Sequence, residues 1–284
     1  MRDFTLYNGV KLPEVGYGTW LVDNKVAFDC VTMALDAGYR HIDSAQAYGN
    51  EENVGRAVRE YPLKREEIFV TTKVQAELKS YKKAKKSIDD SLKRSRLDYF
   101  DLILIHCPQP WMLYGSKKRY FKENVEVWKA LEEAYKDGKV RSIGVSNFRV
   151  DDLQNILDNC EIKPMVNQIL CHIGNTPIDI IKFCQENDIV VESYSPIAHG
   201  RALKNEKIVE MAKKYNVSVA QLCIKYTLQL DTVSLPKASS KEHIEDNLKL
   251  DFEISEEDMV ELLKLNEFDY GKDKFWPVFK KRNG

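Results

Sequence analysis

The sequence has no apolar run of membrane-spanning length; LILI at residues 102–105 is only strand-sized. Its first residues, MRDFTLYNG, are polar and turn-like, unlike a secretory leader. Little charge of either sign is in excess: 43 Lys plus Arg stand against 44 Asp plus Glu, a net of −1. Nucleic-acid proteins usually carry a basic surplus, so no such partner is expected. The basic stretch Lys79–Arg96 is interleaved with Asp89 and Asp90 and reads as the solvated face of a helix. The six cysteines, at 30, 107, 160, 171, 184 and 223, are scattered and form no CxxC pair. Reduced cysteines in a cytoplasmic protein are expected. Cys171-His172 lacks partners at zinc spacing, so no metal site is expected. No linker rich in Pro, Gly or Ser divides the 284 residues, and one domain over 1–284 is the economical reading.

What is present is an alternation. Eight short apolar runs carry few charges: residues 15–20, 41–45, 68–74, 100–107, 140–147, 165–170, 189–196 and 232–237. Longer charged segments with helical spacing lie between them; in one, Val127, Leu131 and Ala134 recur at i, i+4 and i+7. Asn50 with Glu51 and Glu52 marks a helix start, and Gly138 a helix stop. Strands buried on both faces read as continuous apolar runs, and parallel strands need helical crossovers. Eight such units predict an α/β fold, a (β/α)₈ TIM barrel. Phe4–Leu12 predicts an N-terminal hairpin turning at Asn8-Gly9 and plugging the bottom of the barrel. Ser255–Asn266 predicts an extra C-terminal helix capped by Ser255, followed by a tail. A doubly wound open sheet is the structural alternative. It is weakened because Gly16-Tyr17-Gly18-Thr19-Trp20 breaks the fingerprint GxGxxG.

Chemistry in such a barrel sits where strands end. There the sequence places Asp43, Lys73 and His106, at the ends of the second, third and fourth runs. Tyr48 follows in the loop after Asp43 and can curl back over the barrel mouth. Alone, each has a plain structural reading: Asp43 as a turn cap, Tyr48 as loop packing, Lys73 as a rim lysine, His106 as a core histidine. Together, an unpaired charge in a partly dry pocket is costly, and a Lys73–Asp43 ion pair near His106 is the simplest solution. A phenol is a poor acid, with a reference pKa of about 10. A nearby ammonium is expected to lower that value. Tyr48 could then protonate an oxygen gaining negative charge, with a neutral His106 orienting the carbonyl. Such charge appears when hydride reaches carbon, and only a cofactor supplies hydride.

These residues lie in segments that resemble the aldo-keto reductases: HIDSAQAYGNEENVG (41–55), TTKV (71–74), LILIHCP (102–108), GKVRSIGVSNF (138–148), VNQ (166–168), YSP (194–196) and LPKAS (235–239). The resemblance runs from GYGTW to Asn247. It implies a (β/α)₈ barrel that binds NADPH in extended form and reduces aldehydes or ketones. It places Asp43, Tyr48, Lys73 and His106 on the family's catalytic positions, with Tyr48 as proton donor. It assigns Gly18, Thr19 and Trp20 to the cofactor-binding opening, and Ser146, Asn147 and Gln168 to the nicotinamide amide. Tyr194 falls on the ring stacked on the nicotinamide, and Ser195 through Ile197 on the pyrophosphate turn. Lys237 and Ser239 match the adenosine-phosphate grip, and Asp246 and Asn247 the adenine contacts. Trp20 and Trp111 resemble walls of the substrate pocket, beside Tyr48 and His106. The sequence departs from the family in four places, one of them Ala238, which replaces a hydroxyl residue beside Lys237. His243 stands where Arg often contacts the 2′-phosphate, which leaves NADH open beside NADPH. Cys107 replaces an aromatic residue, implying a more open wall. The tail after Asn266 differs, and Phe275 and Trp276 either line the pocket or pin the tail. A small-molecule carbonyl substrate and a monomer are expected. Two other readings use the same residues: a non-catalytic pyridine-nucleotide-binding subunit, and a Schiff-base barrel lyase using Lys73. A purely structural barrel is a third.

Overall fold

The computed structural model describes residues 2–265 and 268–279. The chain opens with β1 (Asp3–Thr5) and β2 (Lys11–Pro13), paired antiparallel with Phe4 opposite Leu12. Gly9 turns this hairpin at φ 85°, a left-handed conformation that glycine adopts without a Cβ penalty. Tyr7 donates to the Lys163 carbonyl and Asn8 to the Arg141 carbonyl, at the starting ends of two barrel strands. The hairpin therefore covers the bottom of the barrel, as its sequence predicts.

Eight parallel strands follow in chain order around the barrel. They are β3 (Tyr17–Gly18), β4 (His41–Asp43), β5 (Phe69–Val74), β6 (Phe100–Ile105), β7 (Val140–Ser146), β8 (Val166–Leu170), β9 (Val190–Tyr194) and β10 (Val233–Leu235). All eight predicted runs contain one of these strands. Between them run α1 (Asn24–Ala37), α2 (Glu51–Glu60), α3 (Tyr81–Ser95), α4 (Phe121–Lys136), α5 (Val150–Leu157) and α6 (Ile178–Glu186). Two helices, α7 (Glu206–Lys214) and α8 (Val219–Gln229), separate β9 from β10. After β10 come α9 (Lys241–Asp246) and α10 (Glu256–Leu263), the latter capped by Ser255, whose side chain accepts from the Asp258 amide.

The barrel closes between its first and last strands. Val15 bridges Ser234 in parallel, with Gly16 N donating to Ser234 O at 2.9 Å and Ser234 N to Glu14 O at 2.8 Å. β5 and β6 are buried at every position, which explains why apolar residues dominate β6 and why the polar residues of β5 need partners. Gly144 lets β7 approach β8: a Cβ there would lie 2.4 Å from the Val166 carbonyl oxygen and 2.8 Å from a Leu104 methyl. We predict that Gly144→Ala costs roughly 1–3 kcal/mol through overpacking. Thermal unfolding reads this directly, and an unchanged midpoint would contradict the close approach.

Candidate active site

Asp43 ends β4, and Lys73 lies on β5 two residues beyond Thr71, the register partner of Asp43. Residues i and i+2 of a strand share a face, so Lys73 points into the barrel above Asp43. Its ammonium donates to Asp43 Oδ1 at 2.7 Å, Asp43 Oδ2 at 2.8 Å and the Ser44 carbonyl at 2.8 Å, and reaches the Tyr48 hydroxyl at 3.3 Å. Lys73 is fully buried. An ammonium is tolerated there because three oxygens accept its hydrogens at close range.

Tyr48 is carried by the short 3₁₀ turn Gln46–Tyr48, which ends at Gly49 with φ 69°. Asn50 fixes this loop from below. Its side chain donates to the Thr19 and Val22 carbonyls and accepts from the Ser44 hydroxyl. Asn50 thus stands at the helix start predicted for it, but its side chain ties loops together and does not cap α2. The Thr19 hydroxyl in turn donates to the Asp43 carbonyl at 2.9 Å.

His106 follows β6 and meets the Tyr48 ring edge-on at 5.7 Å between centroids. Burial, aided by Lys73, holds its imidazole well below the usual histidine value, so the ring is neutral at pH 7. Tyr48 moves the other way. Burial raises its hydroxyl well above 10, and the Asp43 carboxylate adds to the rise. This corrects the expectation of a lowered phenol. Asp43 cancels the ammonium's charge, and desolvation then dominates. The consequence favours an acid: the phenol is fully protonated at neutral pH.

The predicted nicotinamide set forms one hydrogen-bonded cradle. Ser146 Oγ donates to the Gln168 carbonyl at 2.9 Å, Asn147 Nδ2 to the His106 carbonyl at 3.0 Å, and the Tyr194 hydroxyl to Asn147 Oδ1 at 2.7 Å. Gln168 Nε2 donates to Asp43 Oδ1 at 2.9 Å, so cradle and quartet are joined. Asn147 adopts φ 64°, a left-handed conformation that Asn tolerates better than most residues. The turn after β9 holds further strain: Ser195, Ala198 and His199 all have φ between 50° and 54°. Each such residue costs roughly 1–2 kcal/mol. Strain of this kind concentrates where backbone is shaped for a ligand. Ile197 lies within the turn, and the Gly200 amide donates to its carbonyl at 2.9 Å. These features fit a nicotinamide dinucleotide: a side-chain cradle for the ring amide beside a strained turn suited to phosphate.

The remaining predicted positions are spread along the rim. Gly18 N donates to the Pro236 carbonyl at 3.0 Å, which sets the opening beside Lys237. Lys237, Ser239 and His243 are exposed, leaving their polar groups to solvent. Asp246 is engaged instead: it accepts from Ser218 Oγ and Gln221 Nε2 and ties α9 to α8. Asn247 is buried with its side chain against the Tyr39 hydroxyl, not on the helix surface. Trp111 packs edge-on against His106 at 5.2 Å. Trp20 meets Trp276 of the tail at 5.2 Å and the His199 ring at 5.4 Å. Asp273 pins the same tail to Arg201 at 3.0 Å. Phe275, by contrast, is 79% exposed and lines nothing. Cys107 is fully buried, so its small side chain does not open a pocket wall as expected. Among the described residues, no group of three His, Cys, Asp or Glu side chains could hold a metal ion. No helix among them is long and apolar enough to cross a membrane.

Sequence reasoning missed two buried groups beneath this site, His41 and Glu192. The signal was present, since Glu192 is the one charged residue in the strand run IVVESYSP.

Comparison with known proteins agrees with this geometry. The model of the aldo/keto reductase family matches residues 14–267. A glyoxal reductase of Bacillus subtilis is 41% identical over 263 residues, covering 92% of this chain and 91% of the relative. An aldehyde reductase of Saccharomyces cerevisiae is 37% identical over 92% of this chain and 89% of its own length. The crystal structure of an aldo/keto reductase from Brucella melitensis superposes with a TM-score of 0.86 at 35% identity, covering 93% of this chain and 99% of that one. The chain belongs to the aldo/keto reductase family. It is an oxidoreductase that acts on carbonyl groups with a nicotinamide cofactor.

Proposed function

We propose that this chain reduces aldehydes or ketones to alcohols with Tyr48 as general acid, and that NADPH is its preferred cofactor. The observation that carries the acid role is the Lys73 ammonium, held by Asp43 at 2.7 Å and reaching the Tyr48 hydroxyl at 3.3 Å. When bound, a nicotinamide cofactor would supply the hydride that the carbonyl carbon takes up. Tyr48 gives its proton to the carbonyl oxygen as negative charge grows there. Lys73 then stabilises the phenolate left behind, and Asp43 keeps Lys73 charged and in place. The His106 imidazole, neutral and buried, orients the carbonyl oxygen without competing as an acid. Trp20 and Trp111 form the aromatic walls, and Ser146, Asn147, Gln168 and Tyr194 hold the nicotinamide.

The activities for which relatives are named, glyoxal reductase and methylglyoxal reductase, make short α-dicarbonyls the first substrates to try. Loss of the reduced-nicotinamide absorbance with such a compound tests the reading, and no loss across a carbonyl panel would refute it. The Schiff-base alternative needs a neutral Lys73 with a free lone pair. Two carboxylate oxygens and a carbonyl already hold its hydrogens.

NADPH preference rests on Lys237 as a fixed positive charge on an exposed rim. His243, also exposed, is a weaker phosphate ligand than Arg, which is always charged and binds in a fork. We therefore predict that His243→Arg tightens NADPH more than NADH, measured as the two dissociation constants. Equal effects would show that His243 does not face the 2′-phosphate.

A further inference from the structure

Beneath the quartet lies a second acid that the mechanism above does not use. Glu192 sits in the middle of β9, fully buried, in register with Gln168 of β8. Register partners on parallel strands share a face, so both side chains enter the barrel. Gln168 Nε2 donates to Glu192 Oε2 at 2.8 Å and to Asp43 Oδ1 at 2.9 Å. A primary amide has two hydrogens, and here two acids take both. Rotating the amide by half a turn would set its oxygen against the Asp43 carboxylate, a costly meeting of acceptors. The orientation of Gln168 is therefore dictated from below, and Oε1 is left for whatever lies beside it.

The far side of Glu192 is equally enclosed. Its Oε1 lies 3.7 Å from His41 Nε2 and has no hydrogen-bond partner among the described residues. His41 Nε2 pairs with Thr71 Oγ1 at 3.0 Å. The ionisable groups facing Glu192 are thus His41 and Asp43 of β4 and Lys73 of β5. Burial, reinforced by Asp43, pushes the Glu192 carboxyl up to about 8. Burial also holds His41 down to about 4. At pH 7 the two are a neutral acid beside a neutral imidazole, below the Lys73–Asp43 contact at 2.7 Å.

We propose that Glu192 is a positioning residue for the nicotinamide site: with Asp43 it clamps the Gln168 amide so that its oxygen faces the cofactor's carboxamide. This rests on the nicotinamide reading of the cradle given above. The clamp has a second effect. While Glu192 is neutral, no further negative charge opposes the phenolate that forms on Tyr48. Once it ionises, a second buried carboxylate stands beside Asp43, and loss of the Tyr48 proton becomes harder.

Glu192→Gln and Glu192→Leu separate these effects. Gln can still present an oxygen to Gln168 but cannot ionise, whereas Leu removes the clamp. Three measurements apply: NADPH dissociation by nicotinamide fluorescence, the pH profile of kcat, and the infrared carboxylic-acid band of the free protein. In the wild type, kcat is expected to fall above about pH 8, where Glu192 ionises. Glu192→Gln should bind NADPH as the wild type does, lose that alkaline fall, and lack the carboxylic band at neutral pH. Glu192→Leu should weaken NADPH about tenfold, with kcat changed less than KM. Should Glu192→Leu not fold, the Gln profile and band decide alone. The proposal is overturned if Glu192→Leu binds as tightly as wild type, if Glu192→Gln weakens binding as Leu does, or if the alkaline fall persists in Gln. Those results leave wild-type reduction intact, so they refute the clamp alone. A wild-type chain that binds neither NADPH nor NADH refutes the nicotinamide reading, and the clamp with it.

Discussion

Tyr48→Phe is expected to cut carbonyl reduction by roughly 10²–10⁴-fold while leaving cofactor binding unchanged. The ring stays, so its edge-on packing with His106 at 5.7 Å survives. Only the oxygen that faces Lys73 at 3.3 Å is lost. His106 cannot take over, because burial keeps its imidazole unprotonated at neutral pH. Lys73 cannot either, because Asp43 and the Ser44 carbonyl already hold its hydrogens. Single-turnover rates with a small aldehyde, beside NADPH titration of the same variant, measure both halves. Near-normal turnover would show that the proton comes from elsewhere.

Lys73→Met is expected to be the most damaging change to the fold within this site. It strands the Asp43 carboxylate in the barrel, with Gln168 Nε2 at 2.9 Å as its remaining side-chain donor among the described residues. Breaking a buried pair from one side typically costs roughly 3–5 kcal/mol. Activity should vanish as well, because nothing then stabilises a phenolate on Tyr48. Adding Asp43→Leu to Lys73→Met should recover part of the stability without any activity. Coupled residues are non-additive in this way. If Lys73→Met melted with the wild type, the pair would not carry the charge balance argued for it.

The barrel was legible because its physics is repetitive. β5 and β6 are buried on both faces and carry few charges, so FVTTKV and FDLILI stand out from the charged helices between them. The quartet was legible for the opposite reason. Asp43, Lys73 and His106 are ionisable residues at strand ends, where core packing alone would not ask for them. What escaped depends on the third dimension. Whether Asn50 caps its own helix or ties two loops is decided by Thr19 and Val22, far away in sequence. Whether Cys107 faces a pocket depends on packing around it, and so does the seat of Trp276 on Trp20. The direction of the Tyr48 shift was misjudged for a similar reason. An ammonium alone lowers a phenol, but desolvation of the hydroxyl, reinforced by the carboxylate that holds the ammonium, reverses the sign.

The seam where Ser234 pairs with Glu14 and Gly16 has a consequence for how the molecule is made. Its two sides are separated by most of the chain, so the ring cannot shut until synthesis has passed β10. Until then β3 and β9 present bare edges, which invite strand addition from other molecules. Long-range pairing of this kind is slow to form. Biogenesis, more than equilibrium stability, is therefore where this architecture is most exposed to aggregation, and a folding helper would act there with greatest effect.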